Sequence, residues 1–252
     1  MERGSVHGQD LHFTISARGK PNVTPMAEFL ARSFGAIPAT QIDSVFGFVE
    51  PTSLYGGRVF TKPELTSDDI TYMYGADIGV RLPLTNHFVK PLEYEASAAL
   101  LEKYHRNGNA VIATNDDLAR WIRRDFPKYR IEASVIKNVR TYNRISAAME
   151  IYDTVVLPME FNERREFLAG APEKRRITLF GNAGCALTCP SRICYMSISK
   201  INKTGTGEVK CSQTLKEREA RGMVDFDLGQ LRDLGFRRFK LLRARPGGVT
   251  GH

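Results

Sequence analysis

Residues 110–135 read AVIATNDDLARWIRRDFPKYRIEASV. The stretch begins and ends with runs rich in β-branched and apolar residues, Ala110–Thr114 and Arg130–Val135, which predict two strands. The segment between them, Asp116–Phe126, has an apolar face at helical spacing, made of Leu118, Trp121 and Ile122. A strand, a helix and a second strand in this order predict a parallel βαβ unit.

The same alternation extends along most of the chain. Six further runs resemble strands and give eight candidates in all: Leu11–Ile15, Ser44–Val49, Asp77–Leu82, Ala110–Thr114, Arg130–Val135, Thr154–Leu157, Ile177–Phe180 and Arg238–Leu242. Helical patterns lie between most of them: Pro25–Phe34, a segment that opens at Pro91, Asp116–Phe126, Asn138–Tyr152, and Phe226–Leu234 with Gly235 as its C-cap. Eight units in 252 residues predict an α/β fold, a single-domain TIM-like (β/α)₈ barrel. A doubly wound open sheet is the alternative, but no G-x-G-x-x-G motif opens a helix.

Composition sets the limits of this interpretation. The chain is 42% hydrophobic and 25% charged, which excludes a disordered or collagen-like protein. The barrel is expected over residues 11–245, with a mobile N-terminus at 1–10, a mobile tail at 246–252, and a loop or hairpin at Lys200–Lys210. No apolar run is long enough for a membrane span, and Met1–Asp10 lacks a signal-peptide pattern, so we expect a cytoplasmic protein.

The net charge of +8 permits an anionic partner such as RNA, a phosphate ester or a carboxylate substrate, or simply a solvated basic surface. Basic residues are concentrated near the end of the barrel sequence, at Arg237, Arg238, Lys240, Arg243 and Arg245.

Polar residues recur where the predicted strands end, and in a (β/α)₈ barrel these ends form the catalytic rim. We predict acid/base or hydrogen-bonding roles for Glu160, Asn115 and Asp116. We predict substrate-binding roles for Arg58, Arg81, Glu50 and Asn182. Structural roles are the alternative, since Asn115 or Asp116 could cap a helix, Glu160 could favour a helix N-terminus, and the arginines could form salt bridges.

All four cysteines fall within residues 185–211, at Cys185, Cys189, Cys194 and Cys211. In a reducing compartment such a cluster favours metal ligation over disulfides. Four thiolates suit either a [4Fe–4S] cluster or a structural zinc ion. Three close ligands followed by a distant fourth favour the iron–sulfur cluster, because zinc ribbons use two close pairs. The C-x₃-C-x₄-C spacing departs from the radical-SAM pattern, so that chemistry is not expected.

Several motifs occur together in a consistent order. The run Leu179–Cys185, followed by Cys189-Pro190-Ser191-Arg192 and Cys194-Tyr195, resembles the cysteine region of the collagenase-like (U32) peptidase family. Further matches to that family, over roughly Leu11 to Arg245, are Leu54–Arg58, Ala113–Asp116, Glu132–Ser134, Leu157–Glu160 and Phe236–Lys240 with Arg243. The chain departs from the family at Ser16-Ala17-Arg18-Gly19, where an A-P-A-G turn is usual, and we expect it to lack the added C-terminal domain of other members.

The resemblance implies a TIM-like barrel whose four cysteines hold a [4Fe–4S] cluster. It also implies oxygen-independent hydroxylation of an RNA base or a small organic substrate, since some members of the family are linked to that chemistry. Two alternatives stay open: a peptidase acting on peptides, and a non-catalytic partner subunit with a structural zinc site. The sequence contains neither an H-E-x-x-H nor a G-x-S-x-G motif, which gives the peptidase little support.

Overall fold

Eight parallel strands close into a barrel in a computed structural model that describes residues 11–243 and Thr250. The barrel strands are β1 His12–Ser16, β2 Ile42–Phe46, β3 Gly79–Leu84, β4 Ala110–Ala113, β5 Arg130–Ala133, β6 Thr154–Val156, β7 Ile177–Phe180 and β10 Arg238–Leu241. Each strand pairs with its neighbours in chain order, and β10 pairs with β1 to complete the circle. The predicted single-domain (β/α)₈ barrel and all eight predicted strands are therefore confirmed.

The α-helices lie in the connections between the strands. They are α1 Met26–Phe34, α2 Ser67–Gly75, α3 Pro91–Ala96, α4 Ala98–Lys103, α5 Asp116–Asp125, α6 Tyr142–Met149, α7 Arg165–Gly170, α8 Cys194–Thr204, α9 Leu215–Arg221 and α10 Leu228–Asp233. None of the helices in the described part of the chain is long and apolar enough to cross a membrane.

Two sequence-based boundaries were wrong. Helix α6 begins at Tyr142 rather than at Asn138, because Asn138 has a left-handed backbone (φ 55°) and Thr141 provides the N-cap. The Lys200–Lys210 segment is not entirely a loop, since α8 continues through Thr204 and ends at Gly205 (φ +70°). The mobility expected for residues 1–10, 246–249, 251 and 252 lies outside the described residues.

Strand residues alternate between two environments. The apolar positions pack outward against the helices and form the main hydrophobic core; they include Phe13, Ile15, Val45, Val80, Leu82, Val111, Ile131, Val155, Ile177, Leu179 and Phe239. The intervening positions point into the barrel, and several of them are polar or charged. Arg81 on β3, Glu132 on β5 and Lys240 on β10 meet there, as described below.

The last connection of the barrel, between β7 and β10, carries all four cysteines. Two short strands, β8 Asn182–Ala183 and β9 Val224–Asp225, pair antiparallel at the base of this connection. The chain between them, residues 184–223, includes α8 and α9, and we refer to it as the cysteine segment. Because β8 follows β7 almost directly, the cysteine segment emerges at the C-terminal end of the barrel strands.

Candidate functional site

A cavity of about 160 Å³ lies at the C-terminal mouth of the barrel. Its floor includes strand residues Phe46, Ile112, Phe180 and Lys240. The cysteine segment contributes Gly184, Cys185, Ala186, Tyr195 and Met223 to its lining. The cavity therefore lies between the barrel interior and the cysteine segment, at the position where (β/α)₈ barrels bind their ligands.

The charged residues that line this cavity are all basic: Arg18, Arg58, Lys240 and Arg243. Arg58 is neutralised by a two-point ion pair with Glu64, whose Oε2 accepts from Arg58 Nη2 at 2.7 Å. Arg243 donates to the carbonyl oxygen of Arg18 at 3.3 Å and lies over the Phe29 ring. It has no carboxylate partner among residues 11–243 and Thr250.

Below the cavity, the barrel interior contains a buried ionic network. Glu132 accepts from Arg81 Nη1 at 2.7 Å through Oε2 and from Lys240 Nζ at 2.9 Å through Oε1. All three residues are at most 5% exposed. Ser44 accepts from Arg81 Nε at 2.9 Å, and the Thr178 hydroxyl donates to Glu132 at 3.3 Å. Arg81, predicted at the rim as a substrate-binding residue, is thus part of the barrel interior.

The pKa values of Glu132 and Lys240 are both shifted within this network. Burial raises the pKa of Glu132, but Arg81 and Lys240 outweigh burial and hold that pKa at about 2. Burial lowers the pKa of Lys240, and Glu132 opposes that shift. Two cations share one carboxylate, so the network has one positive charge in excess, directly beneath the cavity.

The Cys185 and Cys194 thiols lie within electrostatic range of Cys189 and Cys211, although none of the described residues form a set of three or more His, Cys, Asp or Glu arranged to hold a metal ion. Burial, followed by the neighbouring thiols of Cys189, Cys185 and Cys211, raises the pKa of Cys194 to about 12. Burial raises the pKa of Cys185 as well, with Cys189 and Cys211 adding to the shift.

Hydrogen bonds are directed at two of the sulfur atoms. The backbone N–H of Arg192 donates to Cys189 Sγ at 3.2 Å, and that of Gln213 donates to Cys211 Sγ at 3.5 Å. Burial raises the pKa of Cys189, but the Ser212 hydroxyl and backbone N–H groups outweigh it, so the net shift is downward. Such donors stabilise anionic sulfur.

Arg218 is a buried basic residue of the cysteine segment. It lies on α9 and is 8% exposed, yet its Nε and Nη1 atoms have no hydrogen-bond partner in the described part of the chain. Its charge acts to lower the pKa of Cys185. A buried guanidinium with unused donors beside a thiol is a site where an anionic group would be stabilised.

Glu160 connects the barrel rim to the cysteine segment. It follows β6, and its two carboxylate oxygens accept from Arg192 Nη2 at 2.8 and 2.7 Å. Arg140 donates to the same carboxylate, and Asn138 accepts from Arg192 Nη1 at 2.8 Å. Burial raises the pKa of Glu160, but its own backbone N–H and the two arginines bring it below the usual value. Glu160 is therefore an ionised anchor for the loop between Cys189 and Cys194.

The other predicted site residues have structural contacts. Asn115 caps α5 by accepting from Leu118 N at 3.0 Å. Asp116 accepts from Lys137 at 2.6 Å and from the Tyr152 hydroxyl at 2.7 Å. Burial raises the pKa of Asp116, and these two donors reverse the shift.

Glu50 and Asn182 also lie outside the cavity lining. Glu50 pairs with Lys103 and accepts from the Tyr104 hydroxyl at 3.1 Å. Asn182 bridges both backbone groups of Leu242, at 2.7 and 3.1 Å. Among the eleven predicted site residues, only Arg58 and Cys185 line the cavity.

The cavity residues that were not assigned as site residues from the sequence include Arg18, Tyr195, Lys240 and Arg243. The alternation of residues in the strand Arg238–Leu241 could have predicted that Lys240 points into the barrel. Alternation puts Phe239 and Lys240 on opposite faces, so a lysine next to an outward-facing phenylalanine must point into the barrel.

Together, the fold and the site define a (β/α)₈ barrel with a cationic cavity at its C-terminal mouth. No protein-family profile matches the sequence, and no curated protein matches it. Among solved structures, it is similar to the U32 peptidase Mk0906, with a TM-score of 0.65 over 97% of each chain and 12% identity. A candidate glycerophosphodiester phosphodiesterase from Galdieria sulphuraria also matches, with a TM-score of 0.40, 11% identity, and coverage of 68% of this chain and 84% of that one. The likeness to Mk0906 shows a shared fold.

Proposed function

We propose that this protein is an iron–sulfur enzyme of the collagenase-like (U32) peptidase family. Its reaction is oxygen-independent hydroxylation, or related redox chemistry, on a small organic substrate or an RNA base. The observation that carries the proposal is that Cys185, one of the four clustered thiols, lines the cavity at the barrel mouth. A cofactor held by these thiols would lie beside a bound substrate. The fold shared with Mk0906 supports the same family.

The residues present fit a [4Fe–4S] cluster by their chemistry. Cys185, Cys189, Cys194 and Cys211 supply four thiolates, which is the ligand set that such clusters use. Such a cluster with four thiolates is anionic, and the unused buried donors of Arg218 would then have an anionic neighbour. The N–H groups that point at Cys189 and Cys211 resemble the hydrogen bonds that adjust cluster potentials.

When bound, the cluster would supply electron transfer next to the cavity. The residues of the chain bind the substrate, exclude water and position the cysteine segment. Arg243 and Lys240 attract an anionic group, and the apolar walls exclude water from the reacting centre. Glu160 acts as a positioning residue, because its ion pair with Arg192 holds the cysteine segment on the barrel rim.

Peptide hydrolysis, suggested by the name of Mk0906, is the weaker candidate. The described residues contain one serine–imidazole contact that resembles a nucleophile and its base, Ser199 Oγ with His87 Nδ1 at 3.4 Å. Ser199 is fully buried on α8. A peptide could not reach it without displacement of that helix.

The test is the visible absorption spectrum of protein purified without oxygen. We expect a broad band that is bleached on reduction and is lost in Cys189→Ala and in Cys194→Ala. Ser191→Ala, an exposed substitution in the same loop, should retain it. A colourless protein that holds one zinc ion would contradict the redox function and favour a structural zinc site.

A further inference from the structure

The cavity at the barrel mouth combines an uncompensated positive charge with apolar walls. We propose that it binds a small carboxylic acid with an apolar body the size of one ring. The inference names a substrate class for the site on which the proposed function rests.

Lys240, 5% exposed, lines the cavity and belongs to a network in which two cations share the single carboxylate of Glu132. An ammonium group has three N–H donors; within the described residues, Lys240 uses one of them in a hydrogen bond to Glu132, and its Nζ also lies 4.6 Å from the centre of the Phe46 ring. A buried charge without a counter-charge is costly, so an anion bound above Lys240 would be stabilised.

Arg243 lines the cavity, and it lacks a carboxylate partner within the described residues. Its guanidinium offers a fork of donors that matches a carboxylate. Arg58 already forms an ion pair with Glu64, and Arg81 is buried below the cavity, so neither is the main anion-binding group. Lys240 and Arg243 carry that role.

Apart from the basic groups, the lining is largely apolar and includes Phe46, Pro83, Ile112, Met159, Phe180 and Leu242. The cavity volume is about 160 Å³. An apolar cavity of about 150 Å³ is large enough to bind benzene. The space thus fits one ring, with the acid group directed toward Lys240 and Arg243.

The same volume distinguishes a free acid from an RNA nucleotide. A base with its ribose and phosphate is considerably larger than one ring, and only the base would fit inside. The deepest cation, Lys240, would then face an uncharged base rather than the phosphate. The buried excess charge therefore favours a free acid.

The experiment is isothermal titration calorimetry on the whole protein, purified without oxygen, with benzoate as the probe. Benzamide is the uncharged probe of the same shape, and uridine monophosphate represents a nucleotide. We expect benzoate to bind at least tenfold more tightly than benzamide and uridine monophosphate. Lys240→Met should weaken benzoate binding at least tenfold, because Glu132 remains paired with Arg81 and the excess charge disappears. Lys103→Met, an exposed lysine outside the cavity lining, should leave binding unchanged.

Equal binding of benzoate and benzamide would overturn the inference, as would full benzoate affinity in Lys240→Met. Tighter binding of uridine monophosphate would point to an RNA substrate and also overturn it. Iron and sulfide, assayed on the same sample, separate this inference from the proposed function. Benzoate binding without iron would support the acid site and contradict the iron–sulfur enzyme, whereas iron without benzoate binding would do the reverse.

Discussion

Replacing Glu132 with glutamine tests the buried charge network most severely. The substitution keeps the side-chain shape but leaves Arg81 and Lys240 buried without a counter-ion. Breaking a buried ion pair by removing one partner costs about 3–5 kcal/mol, because an uncompensated charge stays inside. We therefore expect Glu132→Gln to lower the free energy of unfolding by about 4 kcal/mol at neutral pH.

The lowered pKa of Glu132 implies a similar contribution of this residue to the free energy of unfolding. Its pKa falls from 4.5 to about 2 in the folded protein. A lowered pKa means that the ionised form contributes stability above pH 4.5, and that this contribution is lost as the pH falls toward 2. At about 1.4 kcal/mol per pKa unit, the shift corresponds to roughly 3 kcal/mol.

The assay is urea unfolding of the wild type, Glu132→Gln and Lys240→Met between pH 7 and pH 3. The stability gap between wild type and Glu132→Gln should narrow as the pH falls below 4.5, because Glu132 is then protonated in the unfolded chain but still ionised in the folded protein. Lys240→Met leaves a balanced pair of Glu132 and Arg81, so its unfolding free energy should be within about 1 kcal/mol of the wild type, or above it. A cost below about 1 kcal/mol for Glu132→Gln, or a gap independent of pH, would refute the excess-charge argument.

Three further predictions concern the rim. Glu160→Gln should loosen the cysteine segment, so backbone hydrogen exchange should be faster in residues 184–223 than in the wild type and unchanged in β4 and β5. Exchange in residues 184–223 that is no faster than in the wild type would contradict the anchoring role of Glu160. Asn115→Ala should lower the unfolding free energy by about 1 kcal/mol through loss of the α5 cap and leave benzoate affinity unchanged in calorimetry, whereas an affinity loss would restore its predicted site role. Asp116→Asn should remove the stability that ionised Asp116 gains from Lys137 and Tyr152. The wild type loses the same stability as the pH falls through the lowered pKa of Asp116, so the acid unfolding curves of the two proteins should converge at low pH. Parallel curves would contradict these pairings.

The sequence predicted the barrel because strand and helix patterns are local. Ala110–Thr114 and Arg130–Val135 show their strand character without reference to the rest of the chain, and β4 and β5 lie inside these ranges. The start of α6 was predicted wrongly for a local reason too, since the left-handed backbone of Asn138 carries no hydrophobic signal.

The contacts of the rim residues could not be read in the same way, because their partners are distant in sequence. Glu160 pairs with a residue 32 positions away, and Glu132 pairs with residues 51 and 108 positions away. A polar residue after a strand looks the same whether it faces a cavity, caps a helix like Asn115, or pairs with a buried arginine. Only the closed barrel shows that Lys240 faces the cavity while Arg81 lies beneath it.

The most direct test of the central claim is the iron, acid-labile sulfide and zinc content of the protein purified without oxygen. The account predicts about four iron and four sulfide per chain, with Cys185→Ala holding markedly less of both. One zinc ion per chain without sulfide, unchanged by anaerobic handling, would contradict it.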